Sequence, residues 1–236
     1  MRLLWLKEDC LNAGLTVVEI TGWRTRGVEF AEQPNTILCH HTATPASAKG
    51  DLPTKKILIS GRPDLPGPLC QVGLGRDGTV YLIASGKAQH AGKGAWNATT
   101  SSARTIGVEG EHPGTGAWPA QQYKAYILLC AVLARGLGVG AERVCGHKEW
   151  ATPAGRKTDP NFNMDTFRTG VTSALERLTT PEEDDMTADE CRTVVREELA
   201  KAVKTLHDDH VVMIRGTATG SHPFNLKNIA EKLGIK

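Results

Sequence analysis

A chain of 236 residues with 40% hydrophobic and 23% charged side chains has the composition of a globular protein, with room for one substantial core and a smaller appendage. Its apolar runs fall short of the ~20 residues that span a bilayer, which argues against membrane insertion, and a formal net charge of only +2 lacks the strongly basic balance of a nucleic-acid binder. That charge is uneven: residues 1–178 are net basic and residues 179–236 net acidic, so the larger part suits an anionic surface or polymer.

In chain order, "MRLLWLKEDCLNAG" reads as a short helix closed by Gly14. Lys7, Glu8 and Asp9 interrupt its apolar opening before a signal-peptide core forms, so no signal peptide is expected. The chain is expected to stay in the cytoplasm that makes it, or to leave by a route that reads no N-terminal signal. "LTVVEI" reads as a strand ending at "TGW", and "TILCHH" as a buried strand delivering His40 and His41 to its C-terminal end. Residues 45–69, rich in Pro, Gly and Lys, predict a long surface loop. "QVGLGRDGTVYLIAS" predicts two short strands around "RDG". Gly73, Gly75 and Gly78 match GxGxxG literally, but a strand-like run follows where the dinucleotide fingerprint needs a helix, so a tight turn is expected.

"TIGVEGE" predicts another strand. "WPAQQYKAYILLCAVLARGLG" predicts a helix with Pro119 in its first turn, Tyr123, Ile127, Cys130, Ala134 and Leu137 on one face, and Gly136 or Gly138 at its end. A second helix, "MDTFRTGVTSALERL", is expected to bury Phe167, Val171, Leu175 and Leu178. Strands interleaved with amphipathic helices predict an α/β domain over residues 1–178, with a mixed central sheet flanked by helices. An acidic linker (179–190) and a helical C-terminal region (191–236) follow. The six cysteines show no close pairs, so reduced, mostly buried thiols are expected rather than a disulfide framework or zinc ribbon.

His147 lies in "VCGHKEWATPAGRKTDPNF". Taken singly, His40 or His147 reads as a surface or satisfied core histidine. Two histidines at the ends of apolar stretches plus Asp159 in a Gly/Pro loop also make a His, His, carboxylate set, which can bind zinc and leave a fourth position for water.

"ILCHHTATP", "RDGTVYLIASGKAQHAG", "TIGVEGE" and "GHKEWATPAGRKTDP" resemble, in order and spacing, the zinc-dependent N-acetylmuramoyl-L-alanine amidases related to peptidoglycan-recognition proteins. "RPDLPGP", "GLGRDGTVY" and "GHKEWA" look most like the amidase domains of endolysins from phages of actinobacteria. The resemblance covers roughly residues 20–178 and implies a site in a groove along one face of the sheet. It implies Zn2+ held by His40, His147 and Asp159, Glu109 as general acid/base, Lys157 stabilising the oxyanion, and His90 touching substrate. His41, pointing the other way on its strand, would be structural. Between the histidine and Asp159 the chain has two residues more than the usual family spacing, so that loop is expected to bulge, and Gln71 stands where many relatives have histidine.

The implied reaction is hydrolysis of the amide between muramic acid and L-Ala in the peptidoglycan of an actinobacterial host. It would follow passage from the host cytoplasm to the wall through holin lesions. Glu111 is the alternative acid, and a binding module that holds muropeptides without cutting them is the alternative function. A resident wall-remodelling amidase would carry an export signal. In the tail, the Val194, Val195, Leu199, Val203, Leu206 stripe suggests self-assembly. If Glu182 and Glu183 use GAG codons, they form a ribosome-binding site ahead of Met186, giving a separate C-terminal fragment able to assemble with the full chain.

Overall fold

A computed structural model describes residues 1–180 and 192–205 of the protein. Its elements are α1 (Leu6–Asn12), β1 (Val17–Glu19), β2 (Thr36–His41), α2 (Lys55–Ser60), β3 (Gly61–Arg62), β4 (Leu65–Pro66), β5 (Val72–Leu74) and β6 (Val80–Leu82), then β7 (Thr105–Gly110), α3 (Ala120–Leu137), β8 (Val144–Gly146), α4 (His147–Trp150) and α5 (Met164–Thr179). Six strands form one sheet in the order β1-β6-β5-β7-β2-β8, and β3 and β4 form a separate hairpin. The sheet is mixed: β5 and β6 run antiparallel, whereas β2 is parallel to both of its neighbours.

The period of two along each strand sorts the side chains between two faces. Ile37 and Cys39 of β2, Ile106 and Val108 of β7, and Val72 and Leu74 of β5 join the main core with residues of α1, α3 and α5. The opposite face carries two smaller clusters. One is Leu38, Ala91, Cys145 and Trp150; the other packs Leu52 and Leu58 with Leu69, Cys70 and Ile83. Short elements and loops cover this second face incompletely, and the groove lies there.

The expected mixed sheet flanked by helices is present, and the departures from the expected elements have physical causes. The stretch 45–69 is not all loop: Leu58 of α2 is buried against Leu52 and Leu69, an apolar anchor that the surrounding Pro and Gly obscure. At Gly61, which bends α2 into the β3–β4 hairpin with φ +83°, a Cβ would lie 2.3 Å from the Leu65 carbonyl oxygen. Gly78 has φ +89° and closes the turn between β5 and β6, so GxGxxG here serves a hairpin.

In α3, Pro119 is the cap residue, and Gly138, left-handed at φ +67°, ends the helix. Its buried surface is wider than the stripe read from sequence, because Tyr126, Leu129 and Leu133 are fully buried beside Cys130 and Ala134. The helix packs against α1 and α5 as well as the sheet, and one apolar face cannot serve three neighbours. In α5, Met164, Phe167, Val171 and Ala174 are buried, with Leu175 and Leu178 at the margin of the same core.

Cys10, Cys39, Cys70, Cys130 and Cys145 are buried free thiols. The chain divides into two units, Met1–Thr180 and Pro181–Lys236. Within the second, residues 192–205 are helical, and Val194, Val195 and Leu199 are exposed. The acidic stretch around Met186, Leu206 and the "HPFNLKNIAEKLGIK" segment lie outside the described residues. Among the described residues, no helix is long and apolar enough to cross a membrane.

Candidate metal centre

The parallel register of β2 and β7 places His40 directly opposite Glu109. Both side chains therefore leave the sheet on the groove face. His147 arrives from the next strand along, as the first residue of α4 where β8 ends. Asp159 comes from the loop beyond α4, which the helix itself fixes: the Lys148 main-chain N–H donates to the Asp159 carbonyl (2.8 Å) and Lys148 Nζ to that of Phe162 (2.7 Å). The long segment between them closes on Arg156, whose guanidinium donates to the carbonyls of Thr152 and Lys93.

His40, His147 and Asp159 converge. Nδ1 of His40 lies 3.0 Å from Nδ1 of His147, and Asp159 Oδ2 lies 3.1 Å from each. Among the described residues this is the one group of three such side chains placed to hold a metal ion. Tetrahedral zinc with bonds of ~2.0–2.2 Å separates its ligand atoms by ~3.3–3.6 Å, so the triangle matches one face of that tetrahedron, slightly contracted.

The donor chemistry agrees. Burial lowers the His40 pKa to about 4, against the pull of Asp159, leaving a neutral ring with a lone pair. Burial opposes the charge on Asp159, but hydrogen bonds from His147 and His40 outweigh it and hold the carboxyl well below its usual range. Two nitrogens and a carboxylate oxygen facing one point suit a divalent cation, and the residues present fit zinc.

A cavity of about 560 Å³ opens over this triangle, lined by His40, His90, Glu109, His147, Lys157 and Asp159 among others. Glu109 Oε2 is buried without a hydrogen-bond partner, and Oε1 is 4.0 Å from His40 Nδ1. Burial, reinforced by the Asp159 charge and partly offset by Lys157, raises its pKa to about 8. Glu111 is placed otherwise. Its Oε1 accepts from Thr42 Oγ1, and its Oε2 accepts from both the main chain and the hydroxyl of Thr54, so it ties the ends of β2 and β7 to the start of α2. Arg62 and Arg156 share the cavity rim with Lys157.

His90 also lines the cavity, but both its ring nitrogens face protein: Nδ1 is 3.2 Å from His40 Nε2 and Nε2 is 3.3 Å from Thr105 Oγ1. His41 also contributes to the cavity lining, with its ring 6.3 Å from that of His112. Gln71 is fully buried and joins the Gly107 N–H to the Gly86 carbonyl. Sequence reading passed over Tyr126. Its hydroxyl accepts from the His40 N–H at 2.9 Å and donates to the Val108 carbonyl at 2.8 Å, bracing the metal-facing strand from below.

Residues 30–162, more than half the chain, match the Amidase_2 family, described as N-acetylmuramoyl-L-alanine amidase. The chain belongs to that family. The three converging side chains, together with Glu109 and Lys157, fall inside the matched region. Among solved structures, that of a selenomethionine AmpD derivative has a TM-score of 0.52 and 22% identity over 67% of this chain and 94% of that one, a likeness of fold. The endolysin N-acetylmuramoyl-L-alanine amidase LysCS from Clostridium intestinale URNW follows at TM-score 0.48 and 20% identity over 65% of this chain and 93% of that one. The catalytic domain of XlyA has a TM-score of 0.49 and 20% identity over 66% and 99%. No curated protein matches the chain.

Proposed function

We propose that the protein is a zinc-dependent N-acetylmuramoyl-L-alanine amidase, hydrolysing the bond between N-acetylmuramic acid and L-alanine in peptidoglycan. The observation that carries this reading is the unpartnered Oε2 of Glu109, buried in the same cavity as the His40, His147, Asp159 triangle. A binding module needs neither a free carboxylate there nor a complete ligand set.

His40 and His147 through Nδ1, with Asp159 through Oδ2, would hold zinc, which when bound supplies Lewis acidity and lowers the pKa of water at its open position to about 7. Glu109 accepts the proton of the attacking water and returns it to the departing L-Ala nitrogen. Lys157 sets a fixed cation beside the carbonyl oxygen as negative charge develops there. Arg62 and Arg156 add positive charge along the rim, suited to acidic stem peptides.

The resemblance of "RPDLPGP" and "GHKEWA" to actinobacteriophage sequences supports the finer assignment: a phage endolysin acting on an actinobacterial wall at host lysis, after release through holin lesions. Mass spectrometry of actinobacterial peptidoglycan after incubation, with and without a zinc chelator, tests the chemistry. Free stem peptides beginning with L-Ala beside intact glycan, abolished by chelation, are expected. Intact muropeptides from folded, zinc-loaded protein would establish the non-catalytic binding module instead.

A further inference from the structure

The ligand triangle requires bare lone pairs on Nδ1 of both histidines, and a neutral imidazole carries its proton on either nitrogen unless something fixes it. In the metal-free chain Asp159 Oδ2, 3.1 Å from Nδ1 of both rings, competes for the ring protons; once a metal takes the Nδ1 lone pairs, the groups behind the triangle must accept those protons at Nε2. Thr105 Oγ1 has one proton, and it donates to the Ser102 carbonyl at 2.8 Å. Toward His90 Nε2, 3.3 Å away, the hydroxyl therefore acts as acceptor, and His90 carries its proton on Nε2. The Nδ1 of that neutral ring is then an acceptor, 3.2 Å from His40 Nε2, matched to a His40 that carries its proton on Nε2 and gives Nδ1 to the metal. For His147 the acceptor behind the triangle is the Ala91 carbonyl, 3.2 Å from Nε2.

We propose that the consecutive residues His90 and Ala91, anchored through Thr105, are positioning residues that accept the Nε2 protons of both histidine ligands and so favour the tautomer that gives Nδ1 to the metal. This rests on the zinc reading above and gives His90 a role behind the metal rather than against the substrate. Room for it is built into β7. At Gly107, two residues from both Thr105 and Glu109 on the same face, an added Cβ would lie 2.5 Å from His90 Cγ. The His40 and His90 rings meet edge to face at 85°, which aims one nitrogen at the other.

The first test is on the zinc-loaded, 15N-labelled full chain at neutral pH, using long-range proton–nitrogen correlation of the imidazoles. Nε2–H tautomers at His40, His90 and His147 are expected. An Nδ1–H tautomer at His90, a donor turned toward His40, overturns the proposal whatever the zinc affinity. In parallel, zinc affinity is read by chelator competition on variants checked for fold by circular dichroism.

His90→Leu and Thr105→Val are expected to weaken zinc binding about 10- to 100-fold, the usual scale for losing a ligand's outer partner. His90→Asn, which returns an acceptor oxygen near the Nδ1 position, should recover most of that. Wild-type zinc affinity in folded His90→Leu, with only KM raised, would mean that His90 contacts substrate and would overturn the proposal. If a variant fails to fold, the wild-type tautomers decide alone. A wild-type chain that takes up no zinc, with His90 still protonated on Nε2, would refute the metalloamidase reading instead.

Discussion

Glu109 and Glu111 stand two residues apart on the same run of chain and meet opposite surroundings. Glu111 has both oxygens satisfied by threonines, whereas Glu109 keeps one buried oxygen free. Glu109→Gln is expected to lower kcat about 10²- to 10⁴-fold while metal analysis still finds one zinc per chain. Asp159→Asn removes the anionic ligand, and the expected outcome is zinc loss during dialysis together with loss of activity. A pH effect on stability follows from Glu109 as well. Burial raises its folded pKa from 4.5 to about 8, so the folded state holds this proton more tightly. The associated stability is complete below pH 4.5 and is lost as pH rises toward 8. Metal-free Glu109→Gln, neutral throughout, should therefore melt above the metal-free wild type at pH 8 and together with it at pH 4.

At the scale of elements, the site is a product of register. His40 was recognisable because a histidine pair ended an apolar strand, and His147 and Asp159 because a Pro/Gly loop carried chemistry-bearing residues after another such strand. Their convergence was implied by the family likeness; the pairing of β2 with β7 and β8 gives it a physical basis. Thr105, Gly107 and Glu109 alternate along β7, so their common face could be read from the period alone. The ring that fills the space above Gly107 could not, since nothing local brings a residue fifteen or more positions away to that strand. Tyr126 was equally hidden, because a tyrosine on an apolar helix face reads as packing. Tyr126→Phe strands the His40 N–H, and a loss of about 1–3 kcal/mol in unfolding free energy is expected from denaturant titration. Helix α2 escaped notice for the opposite reason: composition pointed to loop, and one buried leucine decided otherwise.

For the whole molecule, the proposed ligands come from β2, α4 and the loop after it, spanning positions 40 to 159. Zinc would join segments that are distant in sequence. It should stabilise the fold by mass action, about 4 kcal/mol at a thousandfold excess over Kd, and calorimetry with and without chelator reads that shift directly. Residues 1–180 hold every proposed ligand and the main core. We expect this fragment to fold alone and bind zinc with the affinity of the full chain, measured side by side by chelator competition. Beneath all of this lies the alternation along β2, where Cys39 faces the helix core and His40 the groove. The same short strand thus answers to two kinds of selection in turn, one for volume and one for reactivity. Drift in this lineage should leave a two-beat trace: at each core-facing position residues of similar size exchange freely, at His40 nothing exchanges, and a single inserted codon silences both.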